Sequence, residues 1–124
     1  MRNHHKLRAF ELADQLAITT YRLTKDFPRE EQFGITSQMR RAAVSIPSII
    51  VEGCAKPTQA DYIRFLDIAY GSACELQYQI SLAHRLGFLP EQDFSTLNAI
   101  AVETSKVLSG LIRSLRNNPT SKPL

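Results

Sequence analysis

Tryptophan is absent from this chain of 124 residues, and cysteine occurs only twice, at Cys54 and Cys74. The two cysteines form no CxxC pair and have no histidine cluster beside them, so they cannot supply the roughly four N and S ligands of a structural zinc site. We therefore expect two small buried side chains in a reducing compartment, with no metal and no other cofactor. Without tryptophan, and with most Phe and Tyr residues on helical stripes, no stacking platform for single-stranded nucleic acid is evident.

Long apolar runs are also missing. No stretch approaches the roughly 20 residues that a membrane-spanning helix requires. The N-terminal segment, Met1–Lys6, is polar and leads directly into an amphipathic pattern, so it lacks the apolar core of a secretory signal. We expect a cytoplasmic protein with no membrane partner.

A large excess of charge of either sign is lacking as well. The chain has 15 Lys and Arg residues and 12 Asp and Glu residues, which leaves a net charge of +3. That is well below the charge density of a protein that coats nucleic acid, and it is compatible with local RNA or DNA contact or with none. Glycine-rich phosphate loops, GxSxG and HExxH do not occur in the sequence. No catalytic residues are predicted, and we expect a protein that is not an enzyme.

What the chain does have is helical periodicity throughout. Four amphipathic segments are separated by breaks at Asp26–Pro28, Lys56–Pro57 and Gly87–Pro90. Four such helices joined by short loops hide their apolar stripes most simply in an antiparallel up-down four-helix bundle, so the sequence predicts an all-α fold. The bundle is expected over residues 1–116. A disordered tail is expected at 117–124, because that segment has nothing to bury.

The third segment has the clearest pattern. Its apolar residues recur at alternating spacings of four and three, which is typical of a coiled-coil-like seam. The predicted seam comprises Tyr62, Leu66, Ala69, Ala73, Leu76, Ile80 and Ala83. Thr58, with Asp61 three residues later, predicts the N-terminal cap of this segment, and Thr36 is the predicted cap of the second segment. The seam predicted for the fourth segment comprises Leu97, Ala101, Thr104, Leu108, Leu111 and Leu115.

The second segment, at about 36–53, differs because its apolar residues point in nearly every direction. These residues are Val44, Ile46, Ile49, Ile50 and Val51. A helix that is apolar all round must be enclosed on all sides, by its own domain or by another subunit, and this favours a homo-oligomer. Pro47 lies in the same segment and predicts a kink, because a proline inside a helix removes one backbone hydrogen bond.

Charged residues beside these seams form the first candidate site. Glu75 follows the small residues at 71–73, which would let a neighbouring helix approach and partly bury its carboxylate. A buried carboxylate must be paired or protonated, and Arg40 or Arg41 is the natural partner. The sequence thus predicts a structural ion-pair network of Arg41, Glu52 and Glu75, with Glu52 about three turns beyond Arg41 on the same helix face. Which of the two arginines faces the interior is left open.

A second candidate site is basic and would contact phosphate groups electrostatically. Its predicted members are Arg40, Arg41, Lys56 and Arg64. The remaining cations, such as Arg113 and Arg116, are dispersed among acids and are predicted to be solvated surface. Symmetric assembly would repeat each exposed arginine around one axis. We expect a non-catalytic homo-oligomer that contacts RNA or a nucleoprotein. The alternative is a protein–protein interaction adaptor with no nucleic-acid role.

Two blocks of the sequence resemble a known family. The first is QMRRAAVSIP at 38–47, followed by Glu52-Gly53, and the second is RFLDIAYGS at 64–72, followed by Glu75-Leu76. Both are similar to the bacterial four-helix-bundle proteins found within 23S rRNA intervening sequences. The resemblance implies a cytosolic bundle that assembles as a homo-pentamer and has no known enzymatic activity. It also implies a relation to accessory proteins of diversity-generating retroelements, which form a pentameric barrel with a basic surface and work with a reverse transcriptase and RNA.

Overall fold

The computed structural model describes residues 2–118. Within this range the chain forms four α-helices and no strand, which confirms the predicted all-α class. The helices are α1 (Arg8–Leu23), α2 (Ile35–Cys54), α3 (Gln59–Arg85) and α4 (Glu91–Arg116), with 3₁₀ turns at His4–Lys6 and Arg29–Glu31. None of the helices in residues 2–118 combines the length and the apolar character needed to cross a bilayer. Residues 119–124 of the tail that is predicted to be disordered lie outside the described residues, as does Met1.

Each α-helix packs against two of the others. α2 contacts α1 and α3, and α4 contacts the same two helices, so α1 and α3 lie diagonally across the core. One cluster of buried apolar side chains runs through all four helices. Its fully buried members include Leu16 of α1, Ile46 of α2, Leu66 of α3 and Leu108 of α4. The four predicted segments therefore enclose a single hydrophobic core.

α3 buries the seam that its sequence predicts, and none of the seven side chains is more than 4% exposed. α4 follows its predicted seam as far as Leu108. Beyond that point Ile112 is the buried residue, whereas Leu111 and Leu115 are only partly buried. A straight α-helix drifts by about 20° per heptad against a strict seven-residue repeat, so a seam extrapolated over several turns moves to the neighbouring position. The end of the α4 seam is corrected accordingly.

The two threonines that are predicted as N-caps have different roles. Thr58 caps α3, because its Oγ1 accepts a hydrogen bond from the backbone N–H of Asp61 at 3.1 Å. Thr36 does not cap α2, which begins one residue earlier, at Ile35. The backbone N–H of Ile35 donates to Oε1 of Glu31 at 3.4 Å. The prediction for Thr36 is therefore wrong, because a carboxylate from the preceding 3₁₀ turn takes over the capping role.

α2 is covered by its own chain on most sides but not on all. Ile46, Pro47 and Ile50 are buried, whereas Val44 and Val51 are 40% and 36% exposed. The helix is continuous through Pro47. An outward-facing stripe that contains the two valines therefore remains accessible on α2.

The two cysteines are free thiols, and they differ in burial. Cys54 is buried at the end of α2, whereas Cys74 on α3 is exposed. Cys74 follows the seam residue Ala73, and one residue advances about 100° around a helix, which turns the thiol away from the core. The predicted burial is confirmed for Cys54 and is wrong for Cys74.

Candidate nucleic-acid interface

Lys56 and Arg64, two of the four predicted phosphate contacts, lie on the same aromatic ring. Nζ of Lys56 is 4.7 Å from the centroid of the Phe65 ring, and Cζ of Arg64 is 5.1 Å from the same centroid. Cation–π contacts at these distances orient the charged groups without removing them from water. Arg64 also forms an exposed ion pair with Asp61 at 3.5 Å, a kind of pair that contributes little to stability. The structure thus brings these two cations together where α2 leads into α3.

Gly53 allows the ring to approach. A Cβ atom at this position would lie 2.9 Å from Cβ of Phe65, a distance that real Cβ contacts essentially never show. Gly53 is itself buried in the last turn of α2. The absence of a side chain at Gly53 therefore fixes how closely the start of α3 packs on α2, and with it the place of the ring beneath Lys56 and Arg64.

Arg2 is a third cation in the same cluster, and sequence reasoning missed it. Its Nη1 donates a hydrogen bond to the backbone carbonyl of Lys56 at 2.8 Å. Its guanidinium carbon lies 4.2 Å from the centroid of the Tyr62 ring. Arg2 and Lys56 are 54 positions apart in the chain, so no local pattern could have signalled their contact.

The residues beneath Arg2 have altered acid–base properties. Burial and the neighbouring Cys54 raise the pKa of Tyr62 to about 12, and the positive charge of Arg2 opposes part of this rise. Burial also raises the pKa of the Cys54 thiol, against the opposing effects of Arg2 and a hydrogen bond with Tyr62. Both groups are therefore uncharged at neutral pH. Neither of them supplies a negative charge that would balance the positive charge of Arg2.

Tyr62 is expected to ionise late as the pH rises, because burial and Cys54 raise its pKa. Its folded pKa of about 12 lies above the ordinary value of about 10, so its contribution to stability is fully present below pH ~10 and is lost as the pH rises through the folded pKa. Phenolate absorbance measured against pH should show a late component that Tyr62→Phe reduces by one tyrosine. Tyr21→Phe, at an exposed tyrosine, is the control and should keep that component. A late component of unchanged size in Tyr62→Phe would contradict the raised pKa of Tyr62.

A groove between α3 and α4 carries further basic residues. Two adjoining clefts of about 340 and 310 Å³ share Tyr70, Ser109 and Arg113. Together they are lined by Asp67, Tyr70, Ser105, Lys106, Ser109, Ile112, Arg113, Arg116 and Asn117. From Ser105 to Asn117 the groove follows α4 for about 18 Å at 1.5 Å per residue. Hydroxyl donors and cations spaced along such a groove suit the successive phosphates of a nucleic-acid strand.

The sequence prediction treats Arg113 and Arg116 as dispersed surface charges, whereas the structure brings them into this groove. The available signal is their spacing, because Ser109, Arg113 and Arg116 are four and three residues apart and so share one face of α4. Arg116 forms an exposed ion pair with Asp67 of α3. Nη2 of Arg113 lies 3.5 Å from Oγ of Ser109. Within residues 2–118, Lys106 has no acidic partner at ion-pair distance.

Arg40 and Arg41 lie apart from this surface, near the start of α2. Fifteen residues separate Arg41 from Lys56, which is about 22 Å along a helix. Nε of Arg40 donates to Oγ1 of Thr24 at 2.9 Å and its Nη2 to the carbonyl of Tyr21 at 3.4 Å, so its guanidinium binds the last turn of α1. A cation there also complements the negative end of the α1 dipole. Arg41 is exposed. The four predicted contacts thus form two separate pairs in one chain.

The predicted ion-pair network of Arg41, Glu52 and Glu75 does not form within one chain. All three residues are exposed, and none of the ion pairs among the described residues includes them. Glu75 accepts a hydrogen bond from Nε2 of Gln79 at 3.3 Å instead. It lies one position before the seam residue Leu76, about 100° away around α3, so its carboxylate faces water. The expected partial burial of Glu75 is corrected.

Histidine, cysteine and acidic side chains do not gather into a metal site in the part of the chain that the structure describes. Nε2 of His84 lies 3.0 Å from Oε1 of Glu91, and the His84 ring stacks on the Phe94 ring with 4.1 Å between their centroids. These contacts account for its position without a ligand.

The arrangement at Phe65 and along α4 can bind a polyanion through charge, hydrogen bonds and stacking.

Comparison with known proteins gives a family and a fold. The family model described as 23S rRNA-intervening sequence protein matches residues 5–110. A similar solved structure is the crystal structure of a protein with unknown function from the S23 ribosomal protein family of Bacteroides thetaiotaomicron VPI-5482. The two chains are 25% identical, the match covers 85% of this chain and 95% of the other, and the TM-score is 0.78. No curated protein matches the chain.

Proposed function

Because the chain belongs to the family of 23S rRNA-intervening sequence proteins, we propose that it is a non-catalytic, homo-oligomeric helical bundle that contacts RNA or a nucleoprotein. The contact is made by a basic surface that comprises Arg2, Lys56, Arg64, Lys106, Arg113 and Arg116. Arg40 is left out of this surface, because its donors are engaged with α1.

The observation that carries the proposal is the continuity of the basic surface. Nε2 of Gln59, at the start of α3, donates to the carbonyl of Leu115 at 3.3 Å. Arg116 and Asp67 join the same two helices. The cations on Phe65 therefore lie at the same end of the molecule as Arg116, from which the α3–α4 groove leads along α4 to Lys106. A phosphate backbone meets point charges and hydroxyl donors there, and the affinity comes mainly from counterion release.

We infer that the bundle has the up-down topology, with each helix antiparallel to the next. Arg40 joins the start of α2 to the end of α1. The backbone N–H of Arg2 donates to the carbonyl of Cys54 at 3.4 Å, which places the beginning of the chain at the end of α2. Gln59 joins the start of α3 to the end of α4. Pro47 supports a kink in α2, because it cannot donate to the carbonyl of Ala43.

We also propose that copies of the chain assemble through α2 and α3, in the five-fold state that the family resemblance implies. On α2, Val44 and Val51 lie on the exposed stripe that begins at Arg41. On α3, Ile68 and Tyr78 are 47% and 58% exposed on either side of Glu75. Two different faces that pair give a heterologous contact, and when the rotation between copies is one fifth of a turn it closes into a ring that repeats the basic surface.

RNA affinity measured against salt concentration tests the proposed function. Each phosphate contact to a single strand contributes about 0.7 to the slope of log K against log salt. Lys56→Ala combined with Arg64→Ala should make that slope shallower by about 1.4 for a single-stranded RNA, because two contacts are lost. Arg22→Ala combined with Arg85→Ala removes the same charge elsewhere and should leave the slope nearly unchanged. A wild-type slope that is already shallow, or equal slopes in the two double variants, would count against RNA contact at the basic surface.

A protein partner is the second candidate. Ile18 and Leu86 are exposed large apolar side chains that lie outside the basic surface and outside the two stripes described above, and such side chains favour protein contacts. An adaptor would bind RNA weakly, without salt dependence, and would co-purify with one defined protein. The salt titration therefore separates the two functions.

The remaining sequence predictions accompany this proposal. We place the protein in the cytoplasm and expect no enzymatic activity. The relation to accessory proteins of diversity-generating retroelements stays a prediction, and a gene for a reverse transcriptase beside the gene for this chain would support it.

A further inference from the structure

Two clefts meet where the 3₁₀ turn Arg29–Glu31 leads into α2, at the end of the molecule away from the basic surface. The first has a volume of about 240 Å³ and is lined by Thr24, Lys25, Phe27, Pro28, Arg29, Gln32, Thr36 and Arg40. The second has a volume of about 390 Å³ and is lined by Tyr21, Gln32, Phe33, Thr36, Ser37, Arg40 and Arg41. Gln32, Thr36 and Arg40 line both clefts and form the wall between them.

Thr36 is the residue of this wall whose polar group is left unsatisfied. The residue is only 7% exposed, and its hydroxyl is buried without a hydrogen-bond partner. Buried hydroxyls are nearly always paired, because an unpaired one lowers stability. Thr36 lines both clefts and its covered hydroxyl lies in the wall between them, so a small shift of that wall would let an acceptor bound in either cleft supply the missing partner.

The start of α2 adds free donors at the same position. The helix has no acidic residue in its first turn, and Gly34 at its N-cap offers no side chain. The backbone N–H of Ile35 is used by Glu31 and that of Gln38 by Gly34. The backbone N–H groups of Thr36 and Ser37 make no hydrogen bond within residues 2–118. Free N–H groups at the positive end of a helix dipole favour an anion.

The first cleft carries cations without compensating acids. Lys25, Arg29 and Arg40 line it, and no acidic side chain does. None of these three residues takes part in the ion pairs found among the described residues. Arg40 is held in place by Thr24 and stacks on Tyr21 at 4.7 Å, so one of the cations is already ordered in the free protein. This pre-ordering lowers the cost of binding.

The second cleft offers a flat apolar surface next to the first. Phe33 is 89% exposed, the highest exposure of any large apolar side chain in the described part of the chain. It directly precedes Gly34 and the start of α2. An aromatic ring held at the edge of a cationic cleft is a platform on which a base can stack.

We propose that the two clefts bind a nucleotide, with its phosphate among Lys25, Arg29, the Thr36 hydroxyl and the start of α2, and with its base on Phe33. The phosphate oxygens accept from the Thr36 hydroxyl and from the free N–H groups, and the cationic side chains balance the charge. The nucleotide is either free in solution or the 5′-phosphorylated end of an RNA strand. The site uses none of the residues of the basic surface, so it stands independently of the function proposed above.

Titration calorimetry at low salt with AMP and with inorganic phosphate tests the site. We expect AMP to bind more tightly than phosphate. Lys25→Gln combined with Arg29→Gln should weaken both at least tenfold, because two uncompensated charges are lost. Phe33→Ala should weaken AMP several-fold and leave phosphate unchanged. Lys56→Ala combined with Arg64→Ala is the matched control and should change neither. Failure of the wild type to bind AMP or phosphate at millimolar concentration would overturn the proposal, as would equal affinities in the wild type and the Lys25/Arg29 variant.

Thr36→Val separates a binding role from a structural one. Valine has nearly the shape of threonine without the hydroxyl, so it removes an unpaired buried group. The variant should therefore raise the melting temperature of the free protein and weaken AMP several-fold. A hydroxyl that served only the fold would give a lower melting temperature, and that result would overturn the role assigned to Thr36.

The source of the nucleotide is distinguished by a short RNA with and without a 5′-phosphate. If the end of a strand is the ligand, the phosphorylated RNA should bind more tightly than the unphosphorylated one and should lose this advantage in the Lys25/Arg29 variant. If the ligand is free, the two RNAs should bind alike, and the Lys25/Arg29 variant should weaken AMP without separating them. Loss of RNA binding in the Lys56/Arg64 variant with AMP binding unchanged would separate the two proposals.

Discussion

Gly53→Ala is expected to destabilise the fold, although the same replacement at an ordinary helical glycine stabilises. The new Cβ would lie 2.9 Å from Cβ of Phe65 and 3.5 Å from Cδ1 of Tyr62. Cβ of Phe65 is fixed to the backbone of α3, so the two helices must move apart. Overpacking of this kind costs about 1–3 kcal/mol, against roughly 0.5–1 kcal/mol gained from removing a glycine in a helix. We therefore expect a net loss of up to about 2.5 kcal/mol.

Gly110→Ala is the matched control. Gly110 lies inside α4, away from the faces proposed for assembly, and a Cβ at this position would meet no atom within 4 Å. Here only the gain in helix propensity remains, so the variant should be about 0.5–1 kcal/mol more stable than the wild type. Urea unfolding followed by circular dichroism measures both changes. Stabilisation by Gly53→Ala as well would show that α2 and α3 can separate at no cost. Since Phe65 carries Lys56 and Arg64, the Gly53 variant should also lose RNA affinity.

The sequence predicts the helices well where one pattern is uninterrupted. The α3 seam could be read from spacing alone because its buried residues keep the alternating spacings of four and three from Tyr62 to Ala83. α4 illustrates the limit, since the difference between Leu111 and Ile112 depends on a drift of a few tens of degrees that no residue type reveals. Thr36 and Thr58 illustrate a second limit. Both are threonines that follow a break between helical segments, but only Thr58 is an N-cap. The difference comes from Glu31, which takes the donor next to Thr36.

The basic surface is only partly readable from sequence for a related reason. Lys56 and Arg64 are eight positions apart across one turn, and their proximity follows from the α2–α3 break. Arg2 reaches Lys56 across 54 positions, which requires the whole bundle to be in place. The prediction grouped Arg40 with Lys56 because both are basic, but a straight helix keeps charges at its two ends more than 20 Å apart.

Arg41 and Glu75 are expected to form, between copies, the ion pair that they do not form within one chain. Both are exposed and outside the ion pairs of the described residues, and both lie on the apolar stripes that we propose to meet in the assembly. Arg41→Glu would then place two acids opposite each other at every contact, and Glu75→Arg would place two cations there. Like charges at an interface cost several kcal/mol, and every 1.4 kcal/mol is a factor of ten in affinity, so each single reversal should weaken assembly by a factor of 100 or more.

Arg41→Glu combined with Glu75→Arg restores opposite charges and should restore assembly, which no effect on the isolated chain can imitate. Light scattering across a concentration series, with circular dichroism to show that every variant stays helical, measures this cycle. Glu11→Arg, a reversal at an exposed position of α1, is the control and should leave assembly intact. A double variant as dissociated as the single ones would exclude a direct pair. A wild type that is monomeric at all concentrations would remove the assembly itself, and the basic surface would then have to bind RNA with the charges of a single chain.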